Sequence, residues 1–502
     1  MKSMSVKSPR QAPLLRRASL AAALLVLAGC SAGPDYRRPD GPGALAYTAG
    51  TQPSATDGGG GALAGVQVFH SGVQADDWWS ALGSPKLDAL IARAHLASPT
   101  LEAAQASLRQ AEQARAAFSG STQLPQASVR LGSQRQQVNN APSGMEGGER
   151  QFNLLNASLL FSYDLDLAGM SRRQLQGLAA QVEYQRFQYE AARLNLDAQL
   201  ALAAISQAQL SAQLQSLQFQ VQLQEQQLDI TGKRLEAGAG TRQEWLALQT
   251  QRQQLQMGLP GLRSRWEHTR HQLAVLAGLV PSDDSVPTFE LTDFQLPPTL
   301  PLTVPSELLR QRPDVRAAEA LLQAATAQYG VAVAKLYPQL TLSASLGSQA
   351  LTMGSLFGAG SAIWGLGAQL AQPLFTPGLR SSAKAAEAGM QAAQANYQGT
   401  VLQSLRSVAD LLQTMAADAQ AQQSAERANE SAQESLRLVQ SQHALGSASY
   451  LQWVQAQQAA QQVSQATMDY RAKRLANTVV FYQTMGGGAS RALDAQGSPN
   501  PH

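Results

Sequence analysis

The stretch LSAQLQSLQFQV, residues 210–221, spaces Leu210, Leu214, Leu217 and Val221 by alternating steps of four and three, and Leu228 and Leu235 continue the rhythm. Such a stripe is a heptad seam, which buries one edge of a helix against its neighbour. Outward from it, Ser171 to Glu236 contains no proline, and only Gly177 and Gly232 interrupt a good helix-forming composition. At 1.5 Å per residue a helix over this span is roughly 100 Å long. No ordinary globular core has that dimension. A second seam runs through Leu405, Val408, Leu412, Met415 and Ala419. Between seam positions lie mostly Ala and Gln. Ala lets helices approach closely, and Gln is polar without a charge to desolvate. That composition suits a sheet of helices packed on two neighbours, whereas a solvated rod carries Glu and Lys beside its seam.

Upstream of each long helix the period changes twice. Residues 84–118 and 305–335 are rich in Ala, Leu and Gln and read as helices. Alternation follows. Leu340, Leu342, Ala344 and Leu346 are separated by Thr341, Ser343 and Ser345, the period of a strand with one apolar face. Leu155, Ala157, Leu159, Phe161 and Tyr163 repeat it, as do Trp364, Leu366, Ala368 and Leu370. Hairpins are therefore predicted over 124–166 and 338–374. The halves also match in order: Pro99 with Pro313, Pro125 with Pro338, Gly238 with Gly446, Trp245 with Trp453 and Gly278 with Gly486, at an offset drifting only from 214 to 208. The pattern predicts an internal duplication, 76–279 and 305–486, each half reading helix, hairpin, long helix, turn, helix. Residues 280–304, proline-rich, read as a linker and 487–502 as a disordered tail.

Behind the leader no apolar run approaches the about 20 residues of a membrane-spanning helix, so only a β-barrel can cross a bilayer. Four strands cannot close one, since the smallest single-chain membrane barrels use about eight. Two copies make eight strands, with an interior filled by side chains; three make twelve and leave room for a channel. The expected fold class is an α+β membrane protein, with four strands per chain closing a β-barrel between copies and the helices running away from it as a long tube.

Lys2, Lys7, Arg10, Arg16 and Arg17 precede an apolar core at Leu20–Ala28, so residues 1–29 read as a secretory signal peptide. It ends at Cys30, the only cysteine, which can form neither an internal disulfide nor a cysteine metal cluster. Residues 30–75, rich in Gly, Pro, Ser and Ala, read as an extended tether. Removing the leader's five basic residues leaves 38 − 5 = 33 Lys plus Arg against 35 Asp plus Glu, a net charge of −2. The basic balance that suggests nucleic acid thus disappears. His268 and His271 lie one helical turn apart but have no third ligand in pattern, so no metal site is predicted. Asp164 and Asp166 share a strand face and read as water-facing carboxylates near Arg172 or Arg173. No phosphate-binding glycine loop or nucleophile elbow occurs, and no enzymatic chemistry is expected.

Leu27-Ala28-Gly29-Cys30 resembles a bacterial lipobox, which implies a diacylated Cys30 sulfur and an acylated new terminus; Ser31 resembles the signal for export to the outer membrane. With CSAGPDYRRP (30–39), DDWWSALGSPKLDALIARAHLASPTL (76–101), FSYDLDLAGMSRR (161–173), LLRQRPDVRAAEALLQAA (308–325) and AQPLFTPGLRSSAKAAEAG (371–389), the chain resembles the TolC-type outer membrane factors, most closely the lipoprotein branch serving RND multidrug efflux systems. Ser98 departs from the family's usual Asn. The resemblance implies a homotrimer, its trimeric 12-stranded barrel in the outer membrane of a Gram-negative bacterium continued by a long α-helical coiled-coil barrel reaching into the periplasm. It implies as partners a periplasmic adaptor (membrane fusion protein), an inner-membrane RND transporter and outer membrane lipids. Small molecules, drugs and toxic compounds among them, would pass without any cofactor besides the lipid on Cys30. A protein-secretion channel of the same fold is the nearest alternative; a lipidated coiled-coil scaffold would leave both hairpins unexplained.

The loops near 138–150 and 350–360 would then face outside. The turns at 237–241 and 445–449, built on Gly238, Gly240 and Gly446, would form the periplasmic end. Relatives often place an Asp near the second turn, but GSASYLQWVQAQ (446–457) has Gln455 at that place. The candidate gate is therefore Tyr450, Leu451 and Trp453 as closing or lining groups, with Arg234, Glu236, Arg242 and Glu244 as a latch.

Overall fold

A computed structural model of the chain describes residues 32–39, 46–48, 54–56, 66–72, 76–138 and 150–487. The segment read as a signal peptide, Cys30, residues 139–149 within the first predicted hairpin, and residues 488–502 lie outside the described residues. The chain divides into two compact units, the first made of Met1–Pro39, Leu108–Gln185 and Ala318–Tyr397 and the second of the remaining segments.

The first unit holds one antiparallel sheet of four strands, β2 (Gln126–Val138), β3 (Arg150–Leu165), β5 (Gln339–Ala350) and β6 (Ala362–Ala371), in that order. Within the chain β2 and β6 are open edges. At the foot of β3 the chain turns through Gly169 (φ +76°) into helix α3 (Met170–Glu236). Asp166 caps that helix, accepting from the backbone N–H groups of Ser171 (3.1 Å) and Arg172 (2.9 Å), which satisfies donors that have no partner inside the helix. The second junction starts helix α7 (Pro377–Ala444) with Pro377, which lacks the N–H that would go unpaired there.

Residues 32–39, read from sequence as tether, are a packed strap in the first unit. The N–H of Ala32 donates to the Ala168 carbonyl at 2.9 Å. Arg173, 4 % exposed, donates to the carbonyls of Ala32 and Gly33 and pairs with Asp35 at 2.8 Å. Of the two arginines expected near the strand-end carboxylates, Arg172 approaches Asp166 at 3.8 Å, while Arg173 serves the strap. Gly33 is required there, since its φ is +83° and a Cβ would sit 2.6 Å from the Gly330 Cα. Tyr36 and Arg38 both bind the Glu319 carboxylate, at 3.0 and 2.8 Å.

The second unit contains the main core, where Trp78, Trp79, Leu82, helix α1 (Pro85–Ala97), Phe289, Phe294, Phe481 and Tyr482 pack together. The Trp78 ring stacks on Tyr482 at 5.3 Å. Residues 280–304, expected as a linker, are core-forming instead. Val286, Phe289, Leu291, Phe294, Leu300 and Leu302 are all buried. Strand β4 (Thr299–Pro301) pairs in parallel with β1 (Val68–His70). The prolines stiffen a segment whose alternate apolar residues are held inside, a distinction that composition alone does not make.

Here too lie the lower parts of α3 and α7 and two helices of 35 residues each, α4 (Arg242–Leu276) and α8 (Tyr450–Thr484). Polar contacts order them α4–α3–α8–α7. Arg252 meets Glu225 (3.4 Å) between α4 and α3. Between α8 and α7, Asp418 accepts from Lys473 (2.7 Å) and Asn477 (2.6 Å). Between α3 and α8 runs a ladder of glutamines: Gln209 and Gln213 on Asp469, Gln220 on Gln461 and Gln227 on Gln457, at 2.8 to 3.1 Å. The glutamines thus bond across helices as well as avoiding charge. The seam residues Leu210, Val221, Leu228, Val408, Leu412 and Met415 are buried beside them. Among the described residues no helix is long and apolar enough to cross a membrane.

Candidate functional site

Cross-strand register decides which side chains share a face of the sheet. Val129 pairs with Leu159, Leu159 with Leu346 and Leu346 with Trp364. One face therefore carries Ala127, Val129 and Leu131 of β2, Leu155 to Leu165 at alternate positions of β3, Leu340 to Leu346 of β5 and Trp364 to Leu370 of β6. Val129, Leu131, Leu346, Trp364, Leu366 and Leu370 are 61 to 79 % exposed on it. The opposite face is mostly polar or small, with Gln126, Ser128, Arg130, Asn156, Ser158, Ser162, Asp164, Thr341, Ser343, Ser345 and Gln369 beside Gly347, Gly365 and Gly367, and with Leu154, Leu160 and Ile363 among its larger apolar residues. The apolar band on β3 runs from Leu155 to Leu165; at about 3.3 Å per residue and a membrane-barrel tilt it is roughly 25 Å tall. That matches the hydrocarbon of a bilayer. Above it the same face turns polar, with Arg135 donating to Gln151 at 3.3 Å.

The two helical turns use one backbone device twice. Gly238 (φ +73°) and Gly446 (φ +78°) end α3 and α7 in the left-handed conformation, where side-chain-bearing residues are strained. The next helix begins each time with a reciprocal capping box, Thr241 with Glu244 and Ser449 with Gln452. Gly240 packs over the last turn of α3, 3.2 Å from the Leu235 nitrogen to a Cβ built on it.

The predicted latch charges are exposed and do not meet one another inside the protomer. Arg234 donates to the Ala239 carbonyl at 3.3 Å, and the Glu244 carboxylate accepts from the Thr241 N–H at 3.2 Å. Arg242 and Glu236 enter no ion pair among the described residues. Gln455 is exposed. The aromatic candidates separate. Tyr450 and Trp453 are half-buried within the protomer's own helices, while Leu451 is 64 % exposed. Trp453 stacks on His443 at 5.4 Å and 10° between planes, and Tyr450 closes the cluster edge-on at 5.7 Å from Trp453. Nδ1 of His443 donates to the Ala448 carbonyl at 3.0 Å, so the imidazole holds the turn as well as the stack. The Tyr450 hydroxyl donates to Gln227 at 2.9 Å, tying the second turn to α3. Burial first, and the Glu244 charge second, push its pKa up to about 12.

Sequence reasoning missed His443 and Gln227. The first sits seven residues before Tyr450 across a turn, so no helical period links them; the second is one glutamine among many. Elsewhere, Asp164 accepts from Thr341 at 2.7 Å on the sheet's polar face, while Asp166 is spent on the helix cap, which separates the pair by role. Glu267, beside His268, pairs with Arg270 at 3.1 Å.

A sheet with one bilayer-high apolar face and two open edges, joined to helices of this length, defines an outer-membrane channel subunit. A sequence model of the family described as outer membrane efflux protein matches residues 90–279 and again 304–487. The chain belongs to the outer membrane efflux protein family. It is 30 % identical over 417 residues to the pyoverdine export outer membrane protein OpmQ of Pseudomonas putida, covering 82 % of this chain and 88 % of that one. It is 29 % identical over 491 residues to the toluene efflux pump outer membrane protein TtgC of Pseudomonas putida, covering 94 % and 95 %. The solved structure of the outer-membrane channel OprN superposes with a TM-score of 0.82 at 24 % identity, over 92 % of this chain and all of that one. The protein is thus an outer-membrane exit channel with the TolC-like fold, and its family works by passive conduction, not catalysis.

Proposed function

We propose that three copies of this chain form the exit duct of a tripartite efflux pump, passing small molecules from periplasm to exterior. The observation that carries this is the sheet, with one apolar face of bilayer height and both edges unpaired. An open edge in lipid leaves N–H and C=O groups unsatisfied, so the sheet must close. Because β2 and β6 run antiparallel through the sheet order, β6 of one copy can pair antiparallel with β2 of the next. Three copies give twelve strands, wide enough for a water-filled path.

The order α4–α3–α8–α7 leaves two helix edges open in the same way. Paired matches to one family model, and the equivalent glycines Gly238 with Gly446 and Gly278 with Gly486, all at positive φ, support an internal duplication. Cargo would arrive from an RND transporter through a periplasmic adaptor engaging the turns at 237–241 and 445–449, which would also close the resting duct. TtgC's name, a toluene efflux pump protein, favours small molecules as cargo here. Acylation of Cys30 would anchor the mature terminus beside the membrane.

Electron microscopy of the purified mature protein is the test. Three-fold particles with a central path are expected. Single solid rods, or a different symmetry, would overturn the reading.

A further inference from the structure

Among sheet residues whose side chains are described, the polar face carries two charged groups, Arg130 and Asp164. They are not equivalent. Asp164 is engaged by the Thr341 hydroxyl at 2.7 Å. Arg130 is exposed and has no hydrogen bond or ion pair among the described residues. Its register partner is Ser158, followed across the sheet by Gly347 and Ile363, and its same-face neighbours on β2 are Ser128 and Gly132. None can neutralise a guanidinium.

Closure of the sheet leaves this unchanged. β2 is an edge strand, so its second neighbour in a barrel is β6 of the next copy. The polar face of β6 offers Ile363, Gly365, Gly367 and Gln369, none of them acidic. Whatever register the junction takes, no carboxylate reaches Arg130 from that side. Asp164 lies six residues along β3 from Ser158, about 20 Å away, beyond the screening length of about 8 Å in physiological salt. On the lipid face an unpaired Arg would be expelled; facing water it is tolerated and projects its field into the path.

We infer that Arg130 lines the permeation path and, repeated around the barrel, forms a ring of unpaired guanidinium groups that favours anionic small molecules (carboxylates, sulfates, phosphates) over cations. The inference rests on the exit-channel reading above.

The test places a reporter thiol on the partner residue and needs no open gate, because reagents enter from outside. Ser158→Cys is made in the full chain with Arg130, Arg130→Lys, Arg130→Gln or Arg130→Glu, and Leu159→Cys serves as the lipid-face control. Intact cells are treated with anionic or cationic membrane-impermeant methanethiosulfonates, and labelling is counted above that of the parent chain, whose one cysteine is Cys30. Heat-resistant oligomers in the outer membrane confirm that each variant folds. The expected result is a ratio of anionic to cationic rates that falls severalfold in Arg130→Gln, falls further in Arg130→Glu and is kept in Arg130→Lys. An unchanged ratio with Ser158→Cys reactive would overturn the anion preference and leave the exit-channel reading standing. Labelling of Leu159→Cys with Ser158→Cys silent would overturn the face assignment, and that reading with it.

Discussion

The turns at 237–241 and 445–449 share a backbone and differ in chemistry. Both end a long helix on a left-handed glycine, and both start the next with a capping box. The first is surrounded by charge: Lys233 pairs with Asp229, Arg234 reaches over the turn and Glu244 supplies the cap. The second has no Lys, Arg, Asp or Glu between 440 and 457; His443, Tyr450 and Trp453 pack together, and Gln452 supplies the cap. The two turns therefore share what the chain path needs, while side chains that meet only neighbours differ. One turn should be held by interactions that salt weakens, the other by packing that salt leaves intact.

The largest expected effect is at Trp453. Truncation by Trp453→Ala removes the ring that stacks on His443 and supports Tyr450, and should loosen the second turn by about 2 kcal/mol, below the range for a fully buried Trp because this one is half-buried. Amide exchange at 445–449 should accelerate in 1 M salt and in low salt alike. Opening of the resting channel in planar bilayers should become more frequent. If exchange at this turn is unaltered, aromatic packing is not what holds it.

Next come the glycines, which test the shared half of the comparison. A Cβ at Gly238 or Gly446 meets nothing within 4 Å, so Gly→Ala at either position has only a backbone cost. That cost should be about 1 to 2 kcal/mol at both. Equal changes in exchange protection are expected. A large difference would mean that the turns do not rely on the same device.

Smaller still is the exchange of caps. Glu244→Gln gives the first turn the residue type that the second already uses at Gln452. It should preserve the cap, whereas Glu244→Ala or Thr241→Ala should cost about 1 kcal/mol. Conductance then separates cap from latch. If Glu244 is also one side of an electrostatic latch between copies, Glu244→Gln will open the channel while leaving exchange protection intact. Unchanged conductance in both Glu244→Gln and Arg242→Ala would remove these charges from the gate.

Much of this was legible in the chain because it is written in period. Heptads fix the long helices, alternation fixes the apolar face from Leu340 to Leu346, and paired glycines fix both turns to within a residue. What period does not carry was missed. Residues 280–304 looked like a linker because proline suppresses regular structure, yet Phe289 and Phe294 anchor the core. Of the two arginines read beside Asp166, Arg172 approaches it, and the strap at 32–39 that occupies Arg173 is too distant in sequence for spacing to reveal. The division between Tyr450, Trp453 and the exposed Leu451 depends on which helix packs behind α8, and one sequence does not reveal that.

The smallest expected effect joins the two turns. Tyr450 belongs to the second, donates to Gln227 of α3 and feels the Glu244 carboxylate of the first, and its pKa is pushed up to about 12, by burial before charge. A phenol ordinarily titrates near 10. The raised folded value means that the neutral phenol's contribution is fully present below about pH 10 and is lost as pH rises through about 12. Opening of the resting channel should therefore increase as pH climbs above about 10, and Tyr450→Phe should abolish that rise. At neutral pH the same variant removes one hydrogen bond, for a loss of about 1 kcal/mol. Glu244→Gln should move the alkaline onset to lower pH, because the charge that helps keep the phenol protonated is gone. If the onset stays in place, burial alone sets the Tyr450 titration, and the charged turn and the aromatic turn act independently.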